Sequence, residues 1–288
     1  MAFDLHADIT ARILAQIDAG VVPWRQPWST QGAGRMPRNA ISGRAYSGVN
    51  VPLLWGEALE KGYASPRWLT FKQALEAGGT VRKGEKSSLV VFVSAIERDD
   101  EDGKARRIPF LKSFHVFNVA QCDGIAVDPI DTPAPVNADA RDALADAFVA
   151  ATGVDLRHGE GRAYYRPADD FVMLPDFASF TSSDAYYSTL FHELTHWTGT
   201  AARLGRRLTV APFGSPAHAA EELVAELGAA FLCAEFGFDD LDQSASYLDH
   251  YARLLRADNR AFMRAASAAS KGVDYLRGLA LREAPAAA

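Results

Sequence analysis

The segment from Ser188 to Gly199 constrains the chain more than any other, because it contains the pattern His-Glu-x-x-His. Residues four positions apart lie on the same face of a helix, so His192 and His196 could bind one metal ion from the same side. Glu193 would then lie at the neighbouring edge, within reach of a water molecule on that ion. The pattern indicates a metal site built on one helix, with Glu193 as the candidate catalytic residue.

Length and composition favour two domains. The chain has 288 residues, which is long for a single compact core. Its two cysteines, Cys122 and Cys233, cannot build a disulfide framework and are typical of a reducing compartment. There is no apolar run of transmembrane length and no signal-peptide pattern at the start. We therefore expect a cytoplasmic protein without a membrane partner.

Charge is distributed unevenly along the chain, whose net charge is −6. Residues 1–125 contain 16 Lys and Arg against 13 Asp and Glu, a balance of +3. Residues 126–288 contain 14 against 23, a balance of −9. This asymmetry predicts a basic module joined to an acidic one.

The pattern of apolar positions predicts an α+β fold with two domains. Residues 126–138 contain three prolines and no periodic pattern, so we interpret them as a linker between domains at 1–125 and 139–288. In the first domain we expect helices at 3–19, 51–61 and 69–76, and strands at 88–93 and 110–119 around a charged hairpin tip at 97–107. We expect the second domain to be mainly helical with a small β-sheet, whose strands lie at 163–166 and 171–174. One helix should run from Ser182 or Ser183 to Gly199. Further helices are expected near 139–151, 217–236, 243–257 and 259–280.

A catalytic zinc site needs a third protein ligand in addition to two histidines. The helix expected at 217–236 carries Glu222 and Glu226 beside its apolar stripe, where unpaired carboxylates would be costly. Their spacing resembles that of gluzincin-type metallopeptidases, in which the first carboxylate binds the metal and the second orients a histidine. We expect Glu222 to be the third ligand and Glu226 its supporting residue, although the reverse assignment stays open. The ligand set accepts Zn²⁺ or another divalent ion such as Mn²⁺.

Hydrolysis at such a site also needs a group that stabilises an oxyanion. The sequence offers several candidates without choosing among them: Tyr186, Tyr187, His218, Tyr247 and His250. Two other readings compete with hydrolysis of a peptide bond. The metal could be purely structural, or the protein could be a metal-dependent nuclease, although many nucleases use two metals held by carboxylates.

Aromatic residues and arginines are interleaved between Trp24 and Tyr46. Such a mixture suits stacking on unpaired bases and pairing with phosphates. The alternative is that Trp24 and Trp28 pack against the first helix.

Several segments together carry a resemblance to a known family: 19–24, 37–40, 46–50, 63–70, 81–86, 192–199 and 221–227. With them, nearly the whole chain resembles the ArdC-type antirestriction proteins of conjugative plasmids, and its first domain is also similar to that of TraC-type plasmid primases. The resemblance implies an N-terminal domain that binds single-stranded DNA and a C-terminal zincin-like metallopeptidase domain. It also implies protection of incoming mobile-element DNA from the recipient's restriction enzymes, with a protein of the host restriction system as a further candidate partner.

This resemblance and the basic-aromatic pattern define a set of expected DNA contacts. We expect the binding to tolerate different sequences and to weaken with salt. The expected residues are Trp24, Arg25, Trp28, Arg35, Arg38, Arg44, Tyr46, Arg67, Trp68, Lys72, Arg82, Lys83 and Lys86.

Overall fold

The structure, a computed structural model, describes residues 4–24, 36–99, 105–126, 140–206, 215–238 and 248–283. It combines helices with small sheets, which confirms the predicted α+β class. Within these residues, no helix is both long enough and apolar enough to cross a membrane.

The N-terminal half is built around a four-stranded sheet with the strand order β1-β2-β5-β4. A second, two-stranded sheet pairs β3 with β6. The elements of this half are α1 (Leu5–Asp18), β1 (Arg38–Asn39), α2 (Asn50–Lys61), β2 (Arg67–Leu69), α3 (Phe71–Glu76), β3 (Thr80–Val81), β4 (Ser88–Asp99), β5 (Ala105–Asn118) and β6 (Cys122–Asp123).

The hairpin of β4 and β5 is longer than the sequence predicted. Twelve consecutive pairs join the strands, from Ser88 opposite Val116 to Asp99 opposite Ala105. The interpretation of 97–107 as a hairpin tip is therefore wrong for its outer residues, because 97–99 and 105–107 belong to the strands. A continuous ladder outweighs the low strand preference of charged residues, since cross-strand pairing stabilises each added pair.

The C-terminal half is mainly helical, with a three-stranded sheet of order β7-β9-β8. The predicted strands are confirmed as β8 and β9. A third strand, β7, was not predicted, because its residues Asp-Leu-Arg-His show no apolar pattern; it pairs parallel to β9. The elements are α4 (Ala143–Ala151), β7 (Asp155–His158), β8 (Tyr164–Arg166), β9 (Phe171–Leu174), α5 (Ser183–Trp197), α6 (Pro216–Phe236), α7 (Leu248–Ala257) and α8 (Ala261–Glu283).

Capping residues fix the start of α5 and both ends of α6, the two helices that pack together at the candidate site. The Ser182 hydroxyl accepts a hydrogen bond from the Ala185 amide at 3.1 Å, and this caps α5. Ser215 caps α6 in the same way, with Pro216 in its first turn. At the far end of α6, Gly237 has φ of 84°, a left-handed conformation that favours glycine.

One hydrophobic core runs through both halves of the chain. The Trp24 ring packs against Tyr251 and Phe262, with centroids 5.6 Å from each, and the Trp55 ring lies 6.0 Å from that of Phe231. The N-terminal elements are thus packed against the C-terminal helices rather than joined only through a linker. Most of the predicted linker, 127–138, lies outside the described residues.

Candidate metal centre and nucleic-acid interface

Two histidines of α5 and one glutamate of α6 converge. The Nε2 atoms of His192 and His196 are 3.2 Å apart. The carboxylate of Glu222 faces both, since its Oε2 lies 3.5 Å from His192 Nε2 and its Oε1 lies 3.6 Å from His196 Nε2. One potential ligand atom from each of the three residues lies within 4.8 Å of the other two. This donor set of two imidazole nitrogens and one carboxylate oxygen suits a borderline divalent ion.

The site has strong internal electrostatics. Burial of His192 by itself lowers its pKa, but the hydrogen bond to Glu222 and the charges of Glu226 and Glu193 outweigh burial and raise the pKa to about 10. Burial of Glu222 by itself raises its pKa, but the hydrogen bond to His192 and the nearby imidazoles lower it to about 2. An excess of carboxylates thus attracts a positive charge to this position, whether a proton or a metal ion supplies it.

Glu193 lies beside the cluster and is buried. Its Oε2 accepts a hydrogen bond from the backbone amide of Tyr165 in β8 at 2.7 Å. The small sheet therefore holds one carboxylate oxygen of Glu193 and leaves the other for a further partner.

The pair of Glu221 and Arg206 was not predicted from the sequence. Glu221 Oε1 lies 3.3 Å from Nδ1 of His196, the nitrogen on the opposite side of the ring from the Glu222 carboxylate. Arg206 donates from Nη2 to the same carboxylate at 3.0 Å and to the Thr195 carbonyl at 2.6 Å. Carboxylates in this position fix the ring orientation of a metal-binding histidine. The only sequence signal that could have indicated this role is that Glu221 is acidic and directly precedes the expected ligand, Glu222.

Glu226, the predicted supporting residue, lies farther from the histidine rings than Glu221 and Glu222 do. Its Oε1 lies 4.0 Å from His192 Nδ1, which is too far for a hydrogen bond. Glu221, rather than Glu226, lies within hydrogen-bond distance of a histidine of the site, at His196 Nδ1. The supporting role of Glu226 stays a prediction.

Two of the candidate oxyanion stabilisers are buried tyrosines, and a third is a histidine near the cluster. Tyr186 and Tyr187 are fully buried, and their hydroxyls contact His158 at 3.0 Å and Asp146 at 2.8 Å. Both tyrosines are thus part of the core, and both hydroxyls already have a polar partner. His218 Nε2 lies 3.5 Å from Glu222 Oε1, so it borders the three-residue cluster. Tyr247 lies outside the described residues.

The two described tryptophans of the expected DNA interface are inside the protein. Trp24 is 0% exposed and Trp68 is 1% exposed. Trp24 packs on α7 and α8, and Trp68 packs edge-on against Tyr63 at 5.9 Å. The expectation that these rings stack on bases is therefore wrong for this structure, because neither presents a face to solvent. Tyr46 is half-buried against the same cluster as Trp68.

Two expected basic contacts are already engaged in ion pairs. Arg82 pairs with Glu85 at 3.1 Å and with Asp123 at 3.4 Å, and it also donates to the Ala120 carbonyl. Lys72 pairs with Glu76 at 3.4 Å on the surface of α3. Such pairs compete with a phosphate for the cation.

The other expected cations that the structure describes are more accessible to a phosphate group. Arg38 lies directly beside Arg67 in the parallel pairing of β1 and β2. Of these other cations, four are exposed, namely Arg38, Arg44, Lys83 and Lys86, and Arg67 is half-buried. Three more, Arg25, Trp28 and Arg35, lie outside the described residues.

Family models match both halves of the chain. Residues 3–117 match the N-terminal domain of anti-restriction factor ArdC, and residues 143–268 match a zincin-like metallopeptidase family. The crystal structure of the antirestriction ArdC protein from plasmid R388, in metal-free form, aligns with a TM-score of 0.84 and 46% identity over 97% of this chain and 99% of that one. The chain belongs to the ArdC family.

Relatives of this ArdC-family chain include metal-bound and longer proteins. The Mn(II)-bound structure of the R388 protein aligns with a TM-score of 0.83 and 43% identity, covering 98% of this chain and all of that one. Protein y4eC of Sinorhizobium fredii is 39% identical and matches over 95% of this chain and 91% of its own length. DNA primase TraC of Escherichia coli is 36% identical over 94% of this chain, which spans only 27% of that primase.

Proposed function

We propose that this ArdC-family protein binds single-stranded DNA and protects incoming mobile-element DNA from host restriction, with a metal-dependent peptidase-like site in its C-terminal half. The observation that carries the proposal is the convergence of His192, His196 and Glu222 beside the buried carboxylate of Glu193. Membership of an antirestriction family supplies the biological setting.

The three converging residues would hold a divalent ion, with Zn²⁺ or Mn²⁺ as the candidates. An ion in this position supplies a Lewis acid and lowers the pKa of a bound water. Glu193 would accept a proton from that water, because the Tyr165 amide holds one of its oxygens and leaves the other available. Glu221 and Arg206 would keep the His196 ring in its orientation.

A single pair of variants separates hydrolysis from a purely structural metal. Glu193→Gln removes the proposed base but keeps all three metal ligands, whereas Glu222→Gln removes a ligand. We expect the Glu193→Gln protein to bind metal as the wild type does but to lose protection of a plasmid transferred into restriction-proficient recipients. Transfer into restriction-deficient recipients is the control. If Glu193→Gln protects fully while Glu222→Gln does not, the metal is structural and the proposed hydrolysis is wrong.

The DNA-binding part has its own test. Fluorescence anisotropy with labelled single-stranded and double-stranded oligonucleotides, at two salt concentrations, should show preferential single-strand binding that weakens with salt. Equal and salt-insensitive affinities for both would refute this part of the proposal.

A further inference from the structure

The hairpin of β4 and β5 carries three exposed phenylalanines. Phe92 is 60% exposed, Phe114 is 42% exposed and Phe110 is 39% exposed. Single exposed apolar residues are ordinary on protein surfaces, whereas neighbouring ones commonly mark a binding site. Their arrangement on the ladder decides whether they are neighbours.

The register places these three rings on one face of the hairpin. Phe92 is directly opposite Lys112, and Phe110 and Phe114 lie two residues to either side of Lys112 on β5. Directly paired residues share a face, as do residues two apart on one strand. Phe92, Phe110, Lys112 and Phe114 therefore form one continuous surface, the phenylalanine face.

Only the inner part of this side of the sheet is covered. Val90 and Val116, which continue the same face towards the base of the hairpin, are buried in a cluster with Leu54, Ala58 and Trp68. The phenylalanine face lies beyond the edge of that cluster.

The charge of this surface favours an anion. The Lys112 ammonium lies 5.6 Å from the centre of the Phe114 ring, so it stays at the surface of the patch. The other residues of this face whose side chains are described, Ser88, Val90 and Val116, include no acidic residue.

A groove next to the phenylalanine face adds further positive charge. It has a volume of about 640 Å³, and Phe110 and Leu111 lie on its hairpin side. The opposite side is formed by Arg260 and by α8, which contributes Arg264 and Lys271. Arg264 pairs with Asp258. Among the described residues, no ion pair involves Arg260 or Lys271, and none of the residues lining the groove is acidic.

We propose that the phenylalanine face and this groove form the surface on which the protein binds a single strand of DNA, with bases stacked on the phenylalanines and phosphates near Lys112, Arg260 and Lys271. The inference rests on the single-strand binding proposed above and assigns it to residues that the sequence did not indicate. Exposed rings stack on unpaired bases of any sequence, and flanking cations bind the backbone. A duplex offers no free base face, so the phenylalanines should favour single strands.

The test uses anisotropy titrations of the full-length protein with a labelled oligo(dT). We expect the double variant Phe92→Ala/Phe114→Ala to bind roughly 30-fold more weakly or worse, since each stacked base contributes about fivefold or more. Phe71→Ala is the matched control, because Phe71 is 53% exposed but lies on α3. It should change the affinity less than twofold. Lys112→Gln and Lys271→Gln should each reduce the salt slope by about 0.7.

A second measurement does not depend on truncating the rings. In Phe92→Trp, the new indole should be quenched when oligo(dT) is added, and the matched Phe71→Trp indole should not. Melting temperature and metal binding report whether each variant is folded.

Different failures have different meanings. If the wild type binds oligo(dT) and the double variant binds it equally well, this surface is wrong while the proposed function stands. If the wild type binds no single strand, the DNA-binding proposal fails and this inference fails with it. If the variants alter the oligomeric state measured by light scattering but leave DNA affinity unchanged, the face is an interface between copies of the chain, and the inference is overturned.

Discussion

The contact between Gly228 of α6 and Thr195 of α5 sets how closely the two helices of the metal site approach. Thr195 is fully buried, and its hydroxyl donates to the Phe191 carbonyl at 2.7 Å. A methyl group at position 228 would lie 2.4 Å from Thr195 Oγ1, 2.5 Å from its Cγ2 and 3.0 Å from its Cβ. Because the obstacle is a branched, buried side chain, Gly228→Ala must push the helices apart by about 1 Å.

The net effect on stability follows from two opposing contributions. Alanine in place of glycine inside a helix stabilises by about 1 kcal/mol. Overpacking of a core costs about 1–3 kcal/mol, and three close contacts with one rigid side chain place this case near the upper end. We therefore expect Gly228→Ala to lower the free energy of unfolding by about 2 kcal/mol. For a chain of this size, the melting temperature should fall by roughly 4–8 °C.

The same displacement should weaken metal binding. Thr195 directly precedes His196, and Glu222 lies within two turns of Gly228 on α6. Moving α6 outward takes the carboxylate away from the imidazoles. Because ligand sites require positioning to within about 0.5 Å, we expect the affinity for Zn²⁺ or Mn²⁺ to fall tenfold or more.

Gly278→Ala is the matched control for this prediction. Gly278 also lies inside a helix, α8, but a methyl group there would have no neighbour within 4 Å. The control should gain about 0.5–1 kcal/mol from helix propensity alone. Thermal unfolding in the presence of a chelator, followed by calorimetric metal titration, measures both effects. A Gly228→Ala protein as stable as Gly278→Ala, with wild-type metal affinity, would refute the reasoning.

Three further predictions concern the metal ligands and their neighbours. Glu222→Gln should reduce metal affinity by roughly 100-fold or more and Glu226→Gln by at most about tenfold; calorimetry showing the reverse order would make Glu226 the ligand. Glu221→Gln should reduce the affinity by about 10–100-fold, since His196 loses the carboxylate that orients it; unchanged binding in a chelator competition assay would contradict this role. Metal must displace a proton from His192, whose pKa is raised to about 10, so the apparent affinity should rise about tenfold per pH unit between pH 7 and pH 9. A plateau from pH 7 upward would show that His192 is already neutral there.

Those features of the metal site that depend on spacing within a helix could be predicted from the sequence. Those that depend on contacts between distant segments could not. The spacing of His192 and His196 places both on one face once the segment is helical. On the next helix, Glu222 and Glu226 were then the candidates for the third metal ligand. Glu221 gave no comparable signal, because its role depends on Arg206, which reaches it from the irregular segment after α5. A residue that acts by orienting another is recognisable only once the partner is placed.

The largest error concerned which aromatic residues face solvent, and its physical cause is long-range packing. Trp24 lies in a segment with prolines and arginines that resembles an exposed loop, but its packing partners Tyr251 and Phe262 come from helices at the opposite end of the chain. Composition within a window cannot reveal such partners. A fully buried aromatic side chain contributes about 2–3 kcal/mol through removal from water, and Trp24 obtains this contribution from α7 and α8.

The phenylalanines of the hairpin present the opposite case. Phe92, Phe110 and Phe114 occur in apolar strand segments, where a local pattern predicts core residues. The register shows that they share one face, and the rings remain 39–60% exposed beyond the cluster around Trp68. The fold leaves unused the stabilisation that burying three such rings would supply, at about 25 cal/mol for each Å². A ligand with flat apolar surfaces and negative charge would recover that energy on binding, and an unpaired strand of DNA has both.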